Sequence, residues 1–175
     1  MANILIIYST NDGHTEKICI RLKQLTEEYG NSVTLTPITA VAAIDLNVFD
    51  KIVIGASIRY GKHSPDVYEF IRINEQCLDS KPNAFFTVNV VARKPEKNKP
   101  DTNPYLKKFL KQITWKPKQL AVFAGRIDYR RYKYWDRQAI RLIMWITRGP
   151  TDPETDVEFT DWNQVEDFAR VINEM

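Results

Sequence analysis

Two rhythms of apolar residues alternate along this chain. Short apolar or β-branched runs at Asn3–Tyr8, Val33–Pro37, Lys51–Ser57, Ala84–Val90 and Leu120–Ala124 read as strands buried on both faces. Between them the spacing lengthens to that of a helix. His14–Tyr29 places Ile18, Leu22 and Leu25 on one stripe and stops at Gly30, and Pro65–Leu78 carries Val67, Phe70, Ile71 and Leu78. Asn103–Ile113 carries Leu106, Phe109, Leu110 and Ile113; Asp161–Asn173 carries Trp162, Val165, Phe168, Ala169 and Ile172 behind a Thr160-Asp161 cap. Pro37–Asp50 is weakly patterned and predicts no more than a short helix. Strands alternating with helices predict an α/β fold, a parallel sheet covered on both faces. With 175 residues, 43% of them hydrophobic, the chain predicts a single domain over 1–175 with a full core.

The fifth strand is interrupted. Leu120–Ala124 begins it, Val157–Thr160 reads as its resumption, and an insert at about 125–156, rich in tyrosine, tryptophan and arginine, lies between. Its second half, Trp135–Ile146, is helical in pattern. Trp135, Ala139, Leu142, Ile143 and Ile146 form an apolar face, and Arg137, Arg141 and Arg148 fall near one polar line. A basic amphipathic helix with tryptophans suits a membrane interface or the cover of an apolar ligand. The alternative is a helix packed on the domain's own sheet edge.

Candidate chemistry gathers where the strands end. The first strand empties into Ser9-Thr10-Asn11-Asp12-Gly13-His14-Thr15 and then directly into a helix. Such a junction aims backbone N–H groups and a helix dipole at one spot, and Ser9, Thr10 and Thr15 add hydroxyls, which together can cradle a phosphate. No lysine follows the glycine and no G-x-G-x-x-G is present, so a mononucleotide is favoured over ATP or NAD. The alternative is an ordinary junction in which Ser and Thr cap the helix. In open parallel sheets ligands collect beyond the carboxyl ends of the strands. There lie Gly55-Ala56-Ser57-Ile58-Arg59-Tyr60-Gly61 and Asn89-Val90-Val91-Ala92-Arg93-Lys94-Pro95. Gly55 and Gly61 would let backbone approach a flat ligand, and Tyr60 offers a stacking face or is an exposed loop aromatic. Arg59 and Arg93 are ligand contacts or solvated surface.

The net charge of +3 hides an asymmetry: Arg93–Lys118 carries +7 and Arg126–Arg148 carries +5, leaving the rest of the chain at −9. Two basic segments imply an acidic partner, whether nucleic acid, anionic lipid or a carboxylate-bearing small molecule. The chain starts with a strand rather than a signal sequence and has no apolar run of roughly 18 to 20 residues, so a cytoplasmic or membrane-surface protein is expected. Cys19 and Cys77 fall in helical patterns and are expected to be buried thiols, and no metal site is expected.

The Ser9-Thr10-x-x-Gly13-x-Thr15 loop resembles the phosphate loop of flavodoxin-type FMN domains, and the interrupted fifth strand resembles their long-chain branch. Ile54–Gly61, Val88–Lys97 and the insert ending in Leu142-Ile143-Met144 resemble the bacterial quinone-dependent protoporphyrinogen IX dehydrogenases, the HemG family, over essentially the whole chain. That resemblance implies a flavodoxin-like three-layer sandwich with strand order 2-1-3-4-5. It implies FMN held by Ser9, Thr10, Asn11, Asp12, Gly13, His14, Thr15, Ser57, Ile58, Arg59, Tyr60, Gly61, Asn89, Val90, Val91, Ala92 and Arg93. The implied reaction is the six-electron oxidation of protoporphyrinogen IX in haem biosynthesis, with menaquinone or ubiquinone as acceptor and hydride passing to flavin N5. The two propionates and apolar macrocycle of that substrate would be met by Tyr129, Arg130, Arg131, Tyr132, Tyr134, Trp135 and Arg137. The basic insert would sit on the inner face of the cell membrane, where quinones reside. Arg59 and Arg93 would raise the flavin potential, unlike the acidic surroundings in electron-carrier flavodoxins. No base for the pyrrole protons stands out: His14 donates to phosphate or faces solvent, and His63 is a surface residue or a proton shuttle. An electron carrier or an NAD(P)H:quinone reductase on the same fold is the alternative, while no base-reading module supports nucleic-acid binding.

Overall fold

The computed structural model describes residues 1–175. Five parallel strands, Asn3–Ser9 (β1), Ser32–Pro37 (β2), Lys51–Ser57 (β3), Asn83–Asn89 (β4) and Gln119–Ala124 (β5), form one sheet in the order β2-β1-β3-β4-β5. Helices His14–Glu28 (α1) and Trp162–Glu174 (α5) cover one face; Pro65–Ser80 (α2) and Pro104–Gln112 (α3) cover the other. Alternation along β1 sends Ile4 and Ile6 to α1 and α5, and Leu5 and Ile7 to the opposite core with Ile52, Ile54 and Phe85. All four β1 residues are fully buried, each worth about 1.5–3 kcal/mol of transfer free energy. Gly55, expected to admit a ligand, serves this packing instead: a Cβ there would lie 2.2 Å from the Phe86 ring, deep in the core.

Side chains cap three of these helices: Ser64 at α2, Asn103 at α3, accepting from the amides of Tyr105 and Leu106 at 3.2 and 3.1 Å, and Asp161 at α5. α1 differs, because Gly13 at φ 82° stands at its N-terminus and contributes no side-chain cap. Pro37–Asp50 forms two 3-10 turns, Ile38–Ala43 and Leu46–Val48, that bury Ile38, Val41 and Leu46. Cys19 is buried and Cys77 half-buried, both as free thiols.

The segment expected to resume the fifth strand does something else. Asp156–Glu158 (β7) pairs antiparallel with Arg126–Asp128 (β6) in a separate two-stranded ribbon, in the register Arg126↔Glu158 to Asp128↔Asp156. β5 has already completed its pairing with β4 at Asn89↔Ala124, and the chain turns out of the sheet at Gly125, whose carbonyl accepts from the Phe159 amide at 3.0 Å. From the ribbon springs the insert helix Tyr134–Ile146 (α4). No helix is long and apolar enough to cross a membrane.

Candidate cofactor and substrate cleft

A cavity of about 320 Å³ opens at the carboxyl ends of β1, β3 and β4, between three loops and the insert. Its first wall is Thr10–Thr15. Thr10 Oγ1 accepts from the Gly13 amide at 3.0 Å, which curls the loop. The amides of Asn11, Asp12, His14, Thr15 and Glu16 donate to no protein acceptor, and the buried Thr15 hydroxyl has no partner. Donors left open at a helix N-terminus, the buried Thr15 hydroxyl among them, describe an anion site. His14 Nε2 meets Thr160 Oγ1 at 2.6 Å, and that hydroxyl donates to the Ala124 carbonyl at 2.7 Å. The chain of donors therefore assigns the proton to Nε2 and the lone pair to Nδ1. Burial lowers the His14 pKa, opposed by Glu158, so the ring is neutral. Ser9 and Asn11 do not line the cavity; Asn11 Nδ2 instead donates to Ser57 Oγ at 2.9 Å and ties the first loop to the second.

The second wall, Ser57–Gly61, is a tight turn closed by an antiparallel bridge between Arg59 and Lys62. Tyr60 at φ 51° and Gly61 at φ 74° are its centre, both in the left-handed region that a type I′ turn requires. Tyrosine rarely tolerates that region, and its ring stays exposed beside the cavity. Beneath the turn, His63 donates from Nδ1 to the Ser57 carbonyl at 3.1 Å, and its ring packs edge-on against Phe85 and Phe109. His63 was expected at the surface or as a proton shuttle. It is 4% exposed, does not line the cavity, and burial pushes its pKa down to about 4, so it is a neutral pin for the turn.

The third wall begins at Asn89, whose Oδ1 accepts from the Ala92 amide at 3.0 Å and from Asn103 Nδ2 at 3.2 Å. This lock turns Ala92 inward to the core and leaves Val90, Val91 and Arg93 on the cavity.

The insert supplies the fourth wall, and its residues divide. Tyr129, expected to meet substrate, is fully buried against Tyr132 and Met144, with its hydroxyl on the Pro150 carbonyl at 2.6 Å. Arg130 is bound to Asp128 and Asp156. Arg131 and Tyr132 line the cavity, whereas Tyr134, Trp135 and Arg137 lie outside it. α4 turns only Met144 fully inward, and its apolar face does not pack on the sheet edge: Trp135 is 80% exposed and Trp145 72%. Cavity residues that the pattern did not single out are Lys17, Tyr105, Gly125, Arg126, Asp128, Ile140 and Thr147. Tyr105 was detectable only through the Asn103-Pro104 helix start, which carries it to 3.4 Å from a Cβ placed on Gly61.

Residues 5–154 match the family model of a flavodoxin domain. An Escherichia coli K12 protein named protoporphyrinogen IX dehydrogenase (quinone) is 43% identical over 96% of this chain and 93% of its own length. A Leishmania major protein of the same name is 40% identical over 94% of this chain and 72% of its own. This chain belongs to the protoporphyrinogen IX dehydrogenase (quinone) family. Solved structures add the fold alone: a flavodoxin mutant from Pseudomonas aeruginosa aligns with a TM-score of 0.56 at 9% identity over 97% of this chain and 98% of that one. An archaeal flavodoxin aligns at 0.52 with 10% identity over 98% and 96%.

Membership in this family, with its flavodoxin domain, implies a flavin, and the residues present fit one. An anionic end of such a group would find the unpartnered Thr15 hydroxyl and the open α1 amides. The cationic character expected around the ring is carried unequally. Arg59 places Nη2 2.7 Å from both oxygens of Asp12 and Nη1 3.5 Å from Asp136, so its charge is compensated. Arg93 bonds only to neutral acceptors, the Val90 carbonyl at 3.1 Å and Thr147 O and Oγ1 at 3.0 and 3.2 Å, and burial lowers its pKa. A guanidinium stays protonated in such a place, so Arg93 is an uncompensated positive charge on the cavity wall.

Proposed function

We propose that this chain binds FMN in the cleft and oxidises protoporphyrinogen IX to protoporphyrin IX, delivering the electrons to a membrane quinone. The reading rests above all on the polarity of the cleft, which splits between an anion site at one end and arginine and aromatic surface at the other. Bound there, FMN would supply a two-electron acceptor for a reduced tetrapyrrole and a donor to quinone.

The residues divide the work. Thr10, Thr15 and the open α1 amides hold the phosphate, and Tyr60 covers the flavin ring. Arg93 favours accumulation of negative charge nearby, as any incompletely solvated cation does. Arg131, exposed and free of any acidic partner, is placed to take a propionate at the mouth, and Tyr132 and Ile140 offer apolar wall. The cavity volume is at the small end for ligand sites, so the macrocycle rests at the mouth under α4 rather than inside with the flavin. Trp135, Leu142, Trp145 and Ile146 face outward, with the exposed Arg148 just beyond the helix end, a surface suited to an anionic bilayer on the inner side of the cell membrane, where menaquinone or ubiquinone would be reached.

The test mixes FMN-loaded protein, protoporphyrinogen IX and a soluble quinone under anaerobic conditions and follows porphyrin fluorescence. Fluorescence growing well above the uncatalysed rate, and only with quinone present, is expected. No growth above that rate defeats the assignment.

A further inference from the structure

α4 crosses the mouth of the cleft and is held at both ends by residues of the cofactor loops. At its N-terminal end Asp136 accepts from the Tyr60 hydroxyl and faces Arg59 Nη1, while Arg59 Nη2 holds Asp12 in the phosphate loop. One thread, Asp12–Arg59–Asp136, thus joins the first loop, the second loop and the insert. At the C-terminal end Arg93 of the third loop donates to Thr147. Gly149 seals this second clasp, since a Cβ there would fall 1.8 Å from Met144 Cε and 2.9 Å from Arg93 Nη2. Between the clasps only Met144 of α4 is buried. A helix with so little buried area depends on its ends for its place.

Tyr60 carries the consequence. Its left-handed backbone is costly for an aromatic residue and persists only where neighbours over-determine it. Its ring is 53% exposed, so packing does not fix it; the side-chain anchor is Asp136, which itself does not line the cavity.

We infer that Asp136 is a positioning residue: by fixing Tyr60 and Arg59 it sets the second loop to receive the flavin, and it couples cofactor binding to closure of the insert. This rests on the FMN reading above. Coupling between two sites is reciprocal, so whatever α4 adds to cofactor affinity, the cofactor returns as a more firmly seated α4.

The full-length protein, stripped of flavin, is titrated with FMN as wild type, Asp136→Ala, Asp136→Asn and Tyr60→Phe. Flavin fluorescence quenching, visible circular dichroism and tryptic cleavage within the insert are read together. Wild type should bind FMN, with cleavage in the insert slowed several-fold by the cofactor. Asp136→Ala should weaken FMN by roughly tenfold, the size of a typical contact coupling, and lose most of that protection. Asp136→Asn keeps an oxygen that accepts from Tyr60 and should retain most of the affinity and the dichroism. Tyr60→Phe cuts the same bond without touching a charge, and the double variant with Asp136→Ala should be no weaker than the weaker single variant. Equal loss in the Ala and Asn variants, or losses that simply add in the double variant, would make this a charge effect and overturn the positioning role. If Asp136→Ala binds FMN like wild type with unchanged dichroism, the role also falls while the cofactor reading stands. A wild type that takes up no FMN removes both.

Discussion

The phosphate loop and the insert face each other across the cleft and are built by opposite means. The loop is backbone: a strand end, a left-handed glycine, and amides left open because no side chain caps α1. Only four residues separate β1 from α1, so moving the loop would disturb one or the other. The insert leans on side chains: its short backbone ribbon is braced by Arg126 and Arg130 on Asp128 and Asp156, and its helix is held by a tyrosine, three arginines and a methionine. Such contacts form and break without disturbing the sheet. The rigid wall suits a resident cofactor, and the hinged wall suits a substrate that must come and go.

Removing the movable wall should produce the largest effect. Replacing residues 129–148 with a short glycine-rich linker leaves the five-stranded sheet untouched, so FMN should still bind, about as weakly as in Asp136→Ala, while porphyrin formation at saturating FMN drops by more than about 100-fold, the loss typical of misplaced reactants. Turnover that survives the deletion would mean the insert is no wall of the active cleft.

The pin under the second loop gives the next effect, on stability. His63 stays neutral in the fold down to about pH 4, whereas in the unfolded chain it takes up a proton near pH 6.5. The unfolded state thus binds more protons between those values, and stability declines as pH falls from about 7 towards 4, by roughly 3 kcal/mol at most. Urea midpoints across that range would show it, and His63→Phe should flatten the slope. An unchanged slope would assign the pH dependence to other groups.

Thr15→Val separates the two walls from the rigid side, and its consequences for stability and binding have opposite signs. The hydroxyl is buried without a partner, so replacing it with a methyl should leave the apo fold as stable or slightly more so. The same change removes a donor to phosphate and should weaken FMN by about 1 to 3 kcal/mol. Thermal unfolding of the apo protein and an FMN titration read the two signs separately. Equal affinity would contradict the cradle.

The same contrast explains what could be read from the residues beforehand. The strands and their covering helices follow from apolar periodicity, because every buried strand and stripe must announce itself in composition, whereas the strand order comes only from the family resemblance. The phosphate loop was visible for a related reason: backbone sites need small residues and a glycine at fixed places. The insert was visible as an unusual segment, but its residues could not be sorted. Tyr129 and Tyr134 look alike in sequence, yet one is locked on the Pro150 carbonyl inside the ribbon and the other is exposed. Arg59 and Arg93 likewise differ only in whether Asp12 and Asp136 fold back to meet them. Long-range pairing of charges leaves no local periodicity. His63 carries the same lesson, since nothing beside it in sequence foretells the Phe85–Phe109 slot.

The smallest effect belongs to the outer face of the insert, and it tests whether the movable wall also meets a membrane. Ile146 is 67% exposed and makes no core contact, so Ile146→Ser should change folding stability by less than about 0.5 kcal/mol. On vesicles containing anionic lipid the same side chain would leave water, and its loss should lower the partition constant by several-fold, about 1 kcal/mol. Trp145→Ser should act likewise. Raising salt would weaken the contribution of the exposed Arg148 without altering this apolar increment. If neither substitution changes sedimentation with vesicles, the exposed face meets something other than lipid, and the contrast between the two walls is confined to the cleft itself.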